Sequence, residues 1–174
     1  MKLAVMQPYY FPYIGAYQLV NAVDKYIIYG DFNFRNDGWF HRNRLLEKGK
    51  APLYFNVRLL SSSYKKKFAE IEVDPTSGWR NKLMRTIEQN YRRAKFYETI
   101  IEEIRNIVMA DFQYLSDFNA NTMIRISQFL DIKTSIIHPY TRTEEIENLL
   151  DEEYDFSNGI ENIVDKKTAR ILEI

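Results

Sequence analysis

The first thirty residues restrict the fold more than any other part of the chain, because short apolar runs there flank an aromatic turn and a helical pattern. Lys2–Met6 is apolar and ends at a Gln-Pro pair, as expected of a buried strand. Ile14–Val23 has apolar side chains at helical spacing, and Lys25–Tyr29 is β-branched and aromatic, which is typical of a second strand. This order predicts a βαβ unit with parallel strands and a right-handed crossover.

The remaining pattern predicts further strands followed by helices. Gly30–Gly49 reads mostly as loop, with a short helical piece at Phe40–Leu46, and the expected strands are Pro52–Leu59, Phe68–Val73 and, parallel to the first, Asp131–Ile137. The expected helices are Trp79–Tyr91, Phe96–Met109, Leu115–Leu130, an acidic Glu144–Glu153 and one that begins at Asp165. We therefore expect one α/β domain over residues 1–174, with a mostly parallel sheet and a helical part at about 75–130. Because the last helical pattern stops at Ile174 without a cap or proline, we also expect that a C-terminal segment is missing.

Composition excludes several classes of protein. The 24 basic and 24 acidic residues balance, so sequence-specific DNA binding is not expected. Without cysteine there is no disulfide framework and no thiolate metal site, and a cytoplasmic location fits. No apolar run is long enough for a signal peptide or a membrane span. The 13 tyrosines and 11 phenylalanines indicate a protein rich in recognition surfaces.

The aromatic turn after the first expected strand is the densest candidate site. In an α/β sheet such a turn lies at the carboxyl edge, where ligands bind. Gln7 both donates and accepts hydrogen bonds, Tyr10 and Tyr13 offer aromatic faces, and Gly15 permits close backbone approach. The alternative is an aromatic plug that closes the end of the sheet, and the residues leave both interpretations open.

A second candidate is the glycine-marked segment Gly38–Arg44, which contains Trp39. Arg42 and Arg44 suit a phosphate or carboxylate, because guanidinium groups donate to planar oxyanions in pairs. His41 suits general acid or base chemistry, since its ordinary pKa is near neutrality. The alternative is a solvated arginine face beside an ordinary surface histidine.

Weaker candidates follow along the chain. The cations after Gln89 and Tyr91 complement a helix dipole, or form an anion site. Asn119 is an unfavourable residue in mid-helix and is expected to point at a cleft. Thr168 and Arg170 fit a helix start around a phosphate. The chain lacks the common glycine-rich, zinc-protease and serine-hydrolase motifs, and its two histidines cannot build a histidine-rich metal site, so no cofactor or metal is expected.

Three segments together resemble the WbqC-like protein family: Met6–Gly15, Ala22–Tyr29 and Gly38–Arg44. The similarity extends through Gln89-x-Tyr91, Asp117-x-Asn119, Asp131–Ser135 and Thr168-x-Arg170, nearly the whole chain. One departure is Gly30, which stands where the family has the first Asp of Tyr-Asp-Asp and leaves Asp31 alone. Family members also continue beyond the point where this chain ends.

The resemblance implies a transferase of bacterial surface-polysaccharide (O-antigen) biosynthesis that moves an aminoacyl group, such as glycyl, from an activated donor to an amino sugar nucleotide. The expected ligand is a small, anionic, sugar-like molecule. The expected catalytic residues are His41 and Asp31, and the expected substrate-binding residues are Gln7, Tyr10, Tyr13, Gly15, Trp39, Arg42, Asn43, Arg44, Gln89, Tyr91, Asn119, Thr168 and Arg170.

Two other functions remain open at this stage. The opening strand, turn and helix resemble the start of HIGH-type nucleotidyltransferases, although Tyr13-Ile-Gly-Ala16 lacks both histidines of that motif. A non-catalytic module that binds a sugar nucleotide is the other alternative.

Overall fold

The computed structural model describes residues 2–46, 51–137 and 171–173. In chain order the elements are β1 (Lys2–Met6), α1 (Ile14–Asn21), β2 (Lys25–Ile28), β3 (Arg42–Leu45), β4 (Leu53–Asn56), a 3-10 helix (Phe68–Glu70), α2 (Trp79–Tyr91), α3 (Tyr97–Met109), α4 (Leu115–Phe129), β5 (Ser135–Ile137) and β6 (Ile171–Glu173). The α/β class expected from the sequence is confirmed, and α2 has the predicted bounds. Within the described ranges, no helix has the length and apolar character needed to cross a membrane.

The main sheet has the strand order β5-β2-β1-β6. The strands β1, β2 and β5 are parallel, with Ala4 opposite Tyr26 and Tyr26 opposite Ile136. Against one face of this sheet, α1 packs Ala16 and Val20, and α4 also contributes to that core. A βαβ unit buries its apolar faces in this way, so the first elements of the chain form as their periodicity predicts.

A second core is largely aromatic and lies between the three helices α2 to α4 and the long connections before them. Its fully buried residues include Tyr10, Phe34, Phe68, Leu115 and Phe118. Burying a large apolar side chain contributes roughly 1.5–3 kcal/mol, so this cluster anchors the aromatic turn to the helical part of the molecule.

Two elements differ from the expectation before residue 75. The predicted helical piece at Phe40–Leu46 is instead strand β3, which pairs antiparallel with β4. The predicted strand Phe68–Val73 begins with the 3-10 helix, because the Glu70 carboxylate accepts a hydrogen bond from Lys67 N at 2.8 Å. Phe68 and Ile71 are both fully buried, and this three-residue spacing matches the 3-10 period rather than strand alternation.

The C-terminal expectation also needs correction. Within the helix predicted from Asp165, residues 171–173 instead form β6, which pairs antiparallel with β1, and residues 165–170 lie outside the described part of the chain. An edge of β1 without a partner would expose unpaired N–H and C=O groups, and β6 satisfies them. The predicted Asp131–Ile137 strand starts only at Ser135, because the chain leaves α4 through Asp131 in a left-handed conformation (φ 58°). Residues 144–153, expected to be helical, lie outside the described part of the chain.

Candidate functional site

Two side-chain amides hold the aromatic turn in place. Asn43 Nδ2, on β3, donates to the carbonyl oxygens of Tyr10 at 2.8 Å and Phe11 at 2.7 Å. Asn119 Nδ2, on α4, donates to the carbonyls of Pro8 at 3.0 Å and Phe40 at 2.8 Å. Asn119 is fully buried, so it positions the turn and the Trp39 loop from inside the molecule instead of lining an open cleft.

The turn itself is strained at one residue. Phe11 has a φ of 48°, a left-handed conformation that is unfavourable for a bulky side chain. Such residues cost about 1–3 kcal/mol, persist only where surrounding contacts fix them, and cluster at functional sites. The carbonyl of Phe11 is one of the two that Asn43 binds, so the amide stabilises the strained segment directly.

Two half-buried side chains of the turn, Gln7 and Tyr9, lie close to each other. Tyr9 stacks on Phe40 with ring centroids 5.2 Å apart, and its hydroxyl lies 3.5 Å from Gln7 Oε1. Burial, together with the neighbouring Tyr13, raises the pKa of Tyr9. Tyr13 is 72% exposed and its ring lies against Gly15, where an added Cβ would come within 2.3 Å of a ring atom. The space above Gly15 is therefore filled by Tyr13.

The β3–β4 hairpin presents a cationic aromatic surface, by which we mean Trp39, Arg42, Arg44 and Tyr54. The guanidinium carbons of Arg42 and Arg44 lie 5.4 and 5.7 Å from the centroid of the Trp39 ring. Trp39 stacks with Tyr54 at 6.2 Å, and both rings remain partly exposed.

This surface follows from strand geometry. Arg42 and Arg44 are two residues apart on β3 and so project on the same side, while Tyr54 lies opposite Arg44 across the hairpin. Arg42 Nη2 also donates to the Asp37 carbonyl at 2.7 Å, which fixes its direction. Aromatic faces beside guanidinium groups bind planar rings and anionic groups together.

His41 and Asp31, the expected catalytic residues, have separate surroundings. Nδ1 of His41 is buried and has no hydrogen-bond partner among the described residues, and its ring lies 5.6 Å from that of Phe34. Burial, and secondarily the positive charge of Arg42, lower the pKa of His41, so the imidazole is neutral at pH 7. The exposed Asp31 carboxylate forms an ion pair with Lys67 Nζ at 2.9 Å rather than a contact with His41.

The remaining expected residues divide into three groups. Tyr91, at the end of α2, accepts a hydrogen bond from Leu46 N at its hydroxyl (2.9 Å) and thereby ties α2 to the hairpin. Gln89 is exposed on α2. Thr168 and Arg170 lie outside the described residues.

Sequence reasoning did not select two residues with unusual surroundings. Tyr54 joins the cationic aromatic surface through strand pairing, and only the recognition of β3 as a strand could have indicated it. Arg80, in the first turn of α2, has a largely buried side chain with buried nitrogen atoms. The sequence feature that could have indicated Arg80 is a cation in the first turn of a predicted helix, where acidic residues are preferred. In the described part of the chain, no group of three or more histidine, aspartate or glutamate side chains is placed to hold a metal ion.

Comparisons with known proteins identify the family to which the chain belongs. The chain is 27% identical over 156 residues to the uncharacterised protein Rv1507c of Mycobacterium tuberculosis H37Rv, an alignment that spans 85% of this chain and 67% of the relative. No solved structure matches the chain significantly. The WbqC-like protein family matches residues 7–168, from the aromatic turn to the C-terminal part. The chain therefore belongs to the WbqC-like protein family.

Proposed function

We propose that this protein is a transferase of bacterial surface-polysaccharide biosynthesis that moves an aminoacyl group to the amine of an amino sugar nucleotide. The observation that carries the proposal is the cationic aromatic surface, where Arg42 and Arg44 flank the exposed Trp39 ring. A sugar nucleotide needs two kinds of contact, an aromatic face for its base or sugar ring and cations for its diphosphate. This surface supplies both within a few ångströms.

His41 is the proposed general base. In the transfer, the sugar amine attacks the acyl carbonyl of the donor, a C–N bond forms and the amine loses a proton to the base. The acyl bond to the donor breaks, and the donor's leaving group departs with the bonding electron pair and takes up that proton. A neutral imidazole accepts that proton, and the lowered pKa of His41 keeps it neutral at physiological pH. The strained turn around Phe11 supplies a rigid wall that orients the acceptor.

Binding is tested first, by titration calorimetry with UDP- and dTDP-linked 4-amino sugars and with their 4-hydroxy counterparts. We expect the amino sugar nucleotides to bind and Arg42→Ala with Arg44→Ala to weaken binding at least tenfold, because charge-assisted hydrogen bonds to the diphosphate are lost. Arg85→Ala, which removes an exposed arginine of α2, is the matched control and should bind normally. Equal loss in the control, or binding unaffected by the hairpin arginines, contradicts the proposed site.

An assay of product formation then distinguishes acyl transfer from nucleotidyl transfer and from binding without catalysis. With an activated aminoacyl donor, mass spectrometry should detect the acylated amino sugar, and His41→Gln should abolish its formation. Exchange of labelled pyrophosphate into ATP would instead indicate nucleotidyl transfer. Binding without turnover by the full chain with any aminoacyl donor would indicate a binding module.

A further inference from the structure

Arg80 carries a charge on a side chain that is largely buried. Its side chain is 12% exposed, and its guanidinium lies over the Trp79 ring at 4.8 Å from the centroid. Both Nε and Nη2 are buried and lack hydrogen-bond partners among the residues that the structure describes. The Asp111 carboxylate is 3.8 Å from Nη2, too far for a hydrogen bond, and is 87% exposed.

The unpaired atoms of Arg80, Nε and Nη2, are the same two atoms through which other arginines of this protein bind carboxylates. Arg35 donates through Nε and Nη2 to the two oxygens of Asp37, at 3.2 and 3.0 Å. Arg125 binds Glu103 through the same two atoms, at 2.6 and 2.8 Å. A buried guanidinium without such a partner is strongly unfavourable, so the free Nε–Nη2 edge of Arg80 indicates a missing planar oxyanion.

A second buried polar group accompanies it. Tyr10 is fully buried, and its hydroxyl has no hydrogen-bond partner within the described ranges. Burial raises the pKa of Tyr10, with the positive charge of Arg80 acting in the opposite direction, so the hydroxyl stays protonated as a donor. The rings of Tyr10 and Trp79 both pack on Phe118, with centroids 5.2 and 5.8 Å away.

The residues at the start of α2 also leave room for a bound negative charge. The first turn of α2 contains no acidic residue, and its N-cap, Gly78, makes no side-chain cap hydrogen bond. Within that turn no carboxylate lies beside Arg80, and the acidic group before the helix, Asp74, is engaged by Thr76 N and Oγ1, both at 2.8 Å.

We propose that Arg80 and Tyr10 form a buried site for the carboxylate of a small organic acid. The carboxylate accepts hydrogen bonds from Nε and Nη2 of Arg80 and from the Tyr10 hydroxyl, and a short apolar remainder packs against Trp79 and Phe118. A phosphate carries a second negative charge and additional oxygens. These three donors would leave those additional oxygens buried without hydrogen bonds. The inference does not depend on the proposed transferase function, because that proposal is carried by Trp39, Arg42 and Arg44, whereas this one is carried by the unpaired edge of Arg80.

The test is thermal unfolding of the full chain titrated with sodium acetate, propionate or glycine, against sodium chloride at equal ionic strength. A carboxylate at a hundred times its dissociation constant should raise Tm by roughly 5–10 °C. The rise should vanish in Arg80→Met and diminish in Tyr10→Phe. It should persist in Arg35→Met, the control in which an exposed arginine with the same bonding edge is removed. Arg80→Lys keeps the charge but loses the paired donors, and its affinity should fall at least tenfold.

The stability of the variants without ligand distinguishes a binding site from a structural pair. If Arg80 serves a ligand, Arg80→Met removes an unpaired buried charge and its Tm should equal or exceed that of the wild type. If Arg80→Met and Asp111→Asn lower Tm equally and no carboxylate raises it, Arg80 is a structural partner of Asp111 and the proposal is wrong. A carboxylate effect that survives Arg80→Met, or a shift with phosphate alone, also overturns it.

Discussion

Asn43 Nδ2 donates to the carbonyl oxygen of Phe11 at 2.7 Å, although 32 positions separate the two residues in the chain. The bond joins a strand of the hairpin to a residue held in a left-handed conformation. One amide therefore couples the position of the aromatic turn to the strand that bears Arg42 and Arg44, so the two candidate parts of the site cannot move independently.

Replacing Asn43 should destabilise the protein. Asn43→Ala leaves the carbonyls of Tyr10 and Phe11 without their donor, and we expect the free energy of unfolding to fall by about 1–3 kcal/mol. Asn56→Ala on the neighbouring strand, where the side chain is exposed, should change it by less than about 0.5 kcal/mol. Urea unfolding of the three proteins measures the difference, and equal stability of the two variants would contradict the role of Asn43.

Two asparagines on α4 allow a similar comparison within one helix. Asn119→Ala removes both hydrogen bonds to Pro8 and Phe40, and should cost about 2 kcal/mol or more, since the abandoned carbonyls are buried. Nδ2 of Asn121 is buried without a hydrogen-bond partner in the described part of the chain, so Asn121→Ala should be nearly neutral. Chemical denaturation in which Asn121→Ala is the more damaging change would show that the amide of Asn119 is not the main anchor.

The surroundings of His41 predict an acid-sensitive fold. Its pKa is lowered in the folded state, so the unfolded chain binds more protons as pH falls through the interval between the folded pKa and about 6.5. The stability associated with His41 is complete above that interval and is lost on acidification. We expect His41→Gln to lose less stability than the wild type between pH 7.5 and pH 5. A pKa at or above 6.5 for this imidazole in an NMR titration would refute the expectation.

Gly15 and Tyr13 should behave as a coupled pair. In Gly15→Ala the new methyl group meets the Tyr13 ring, which is exposed and free to swing outward, so the free energy of unfolding should change by less than about 1 kcal/mol. In a Tyr13→Ala background the same substitution meets no ring, and the gain in helix propensity should stabilise α1 by about 0.5–1 kcal/mol. A double-mutant cycle measures this coupling, and strict additivity would show that the ring does not rest on Gly15 in solution.

The sequence was sufficient for the elements whose pattern is local. The apolar spacing of Lys2–Met6, Ile14–Val23 and Lys25–Tyr29 predicts the βαβ unit, whose elements end within two residues of those bounds. The long helical periods predict α2, α3 and α4 to within a residue or two. These patterns persist because each element buries one face that its own residues define. The aromatic turn and the arginine-rich segment were also recognisable, since both are unusual in composition.

Tertiary structure decided what depends on partners distant in the chain. Residues 42–45 are a strand only because β4 pairs with them, and that pairing sets Arg42, Arg44 and Tyr54 around Trp39. Asn119 looked like a residue pointing at a cleft, yet its amide is enclosed and binds carbonyls that only folding brings near. The buried edge of Arg80 depends on packing among α2, α4 and the turn, because burial and the absence of a partner are properties of the assembled core and leave no periodic trace in the sequence.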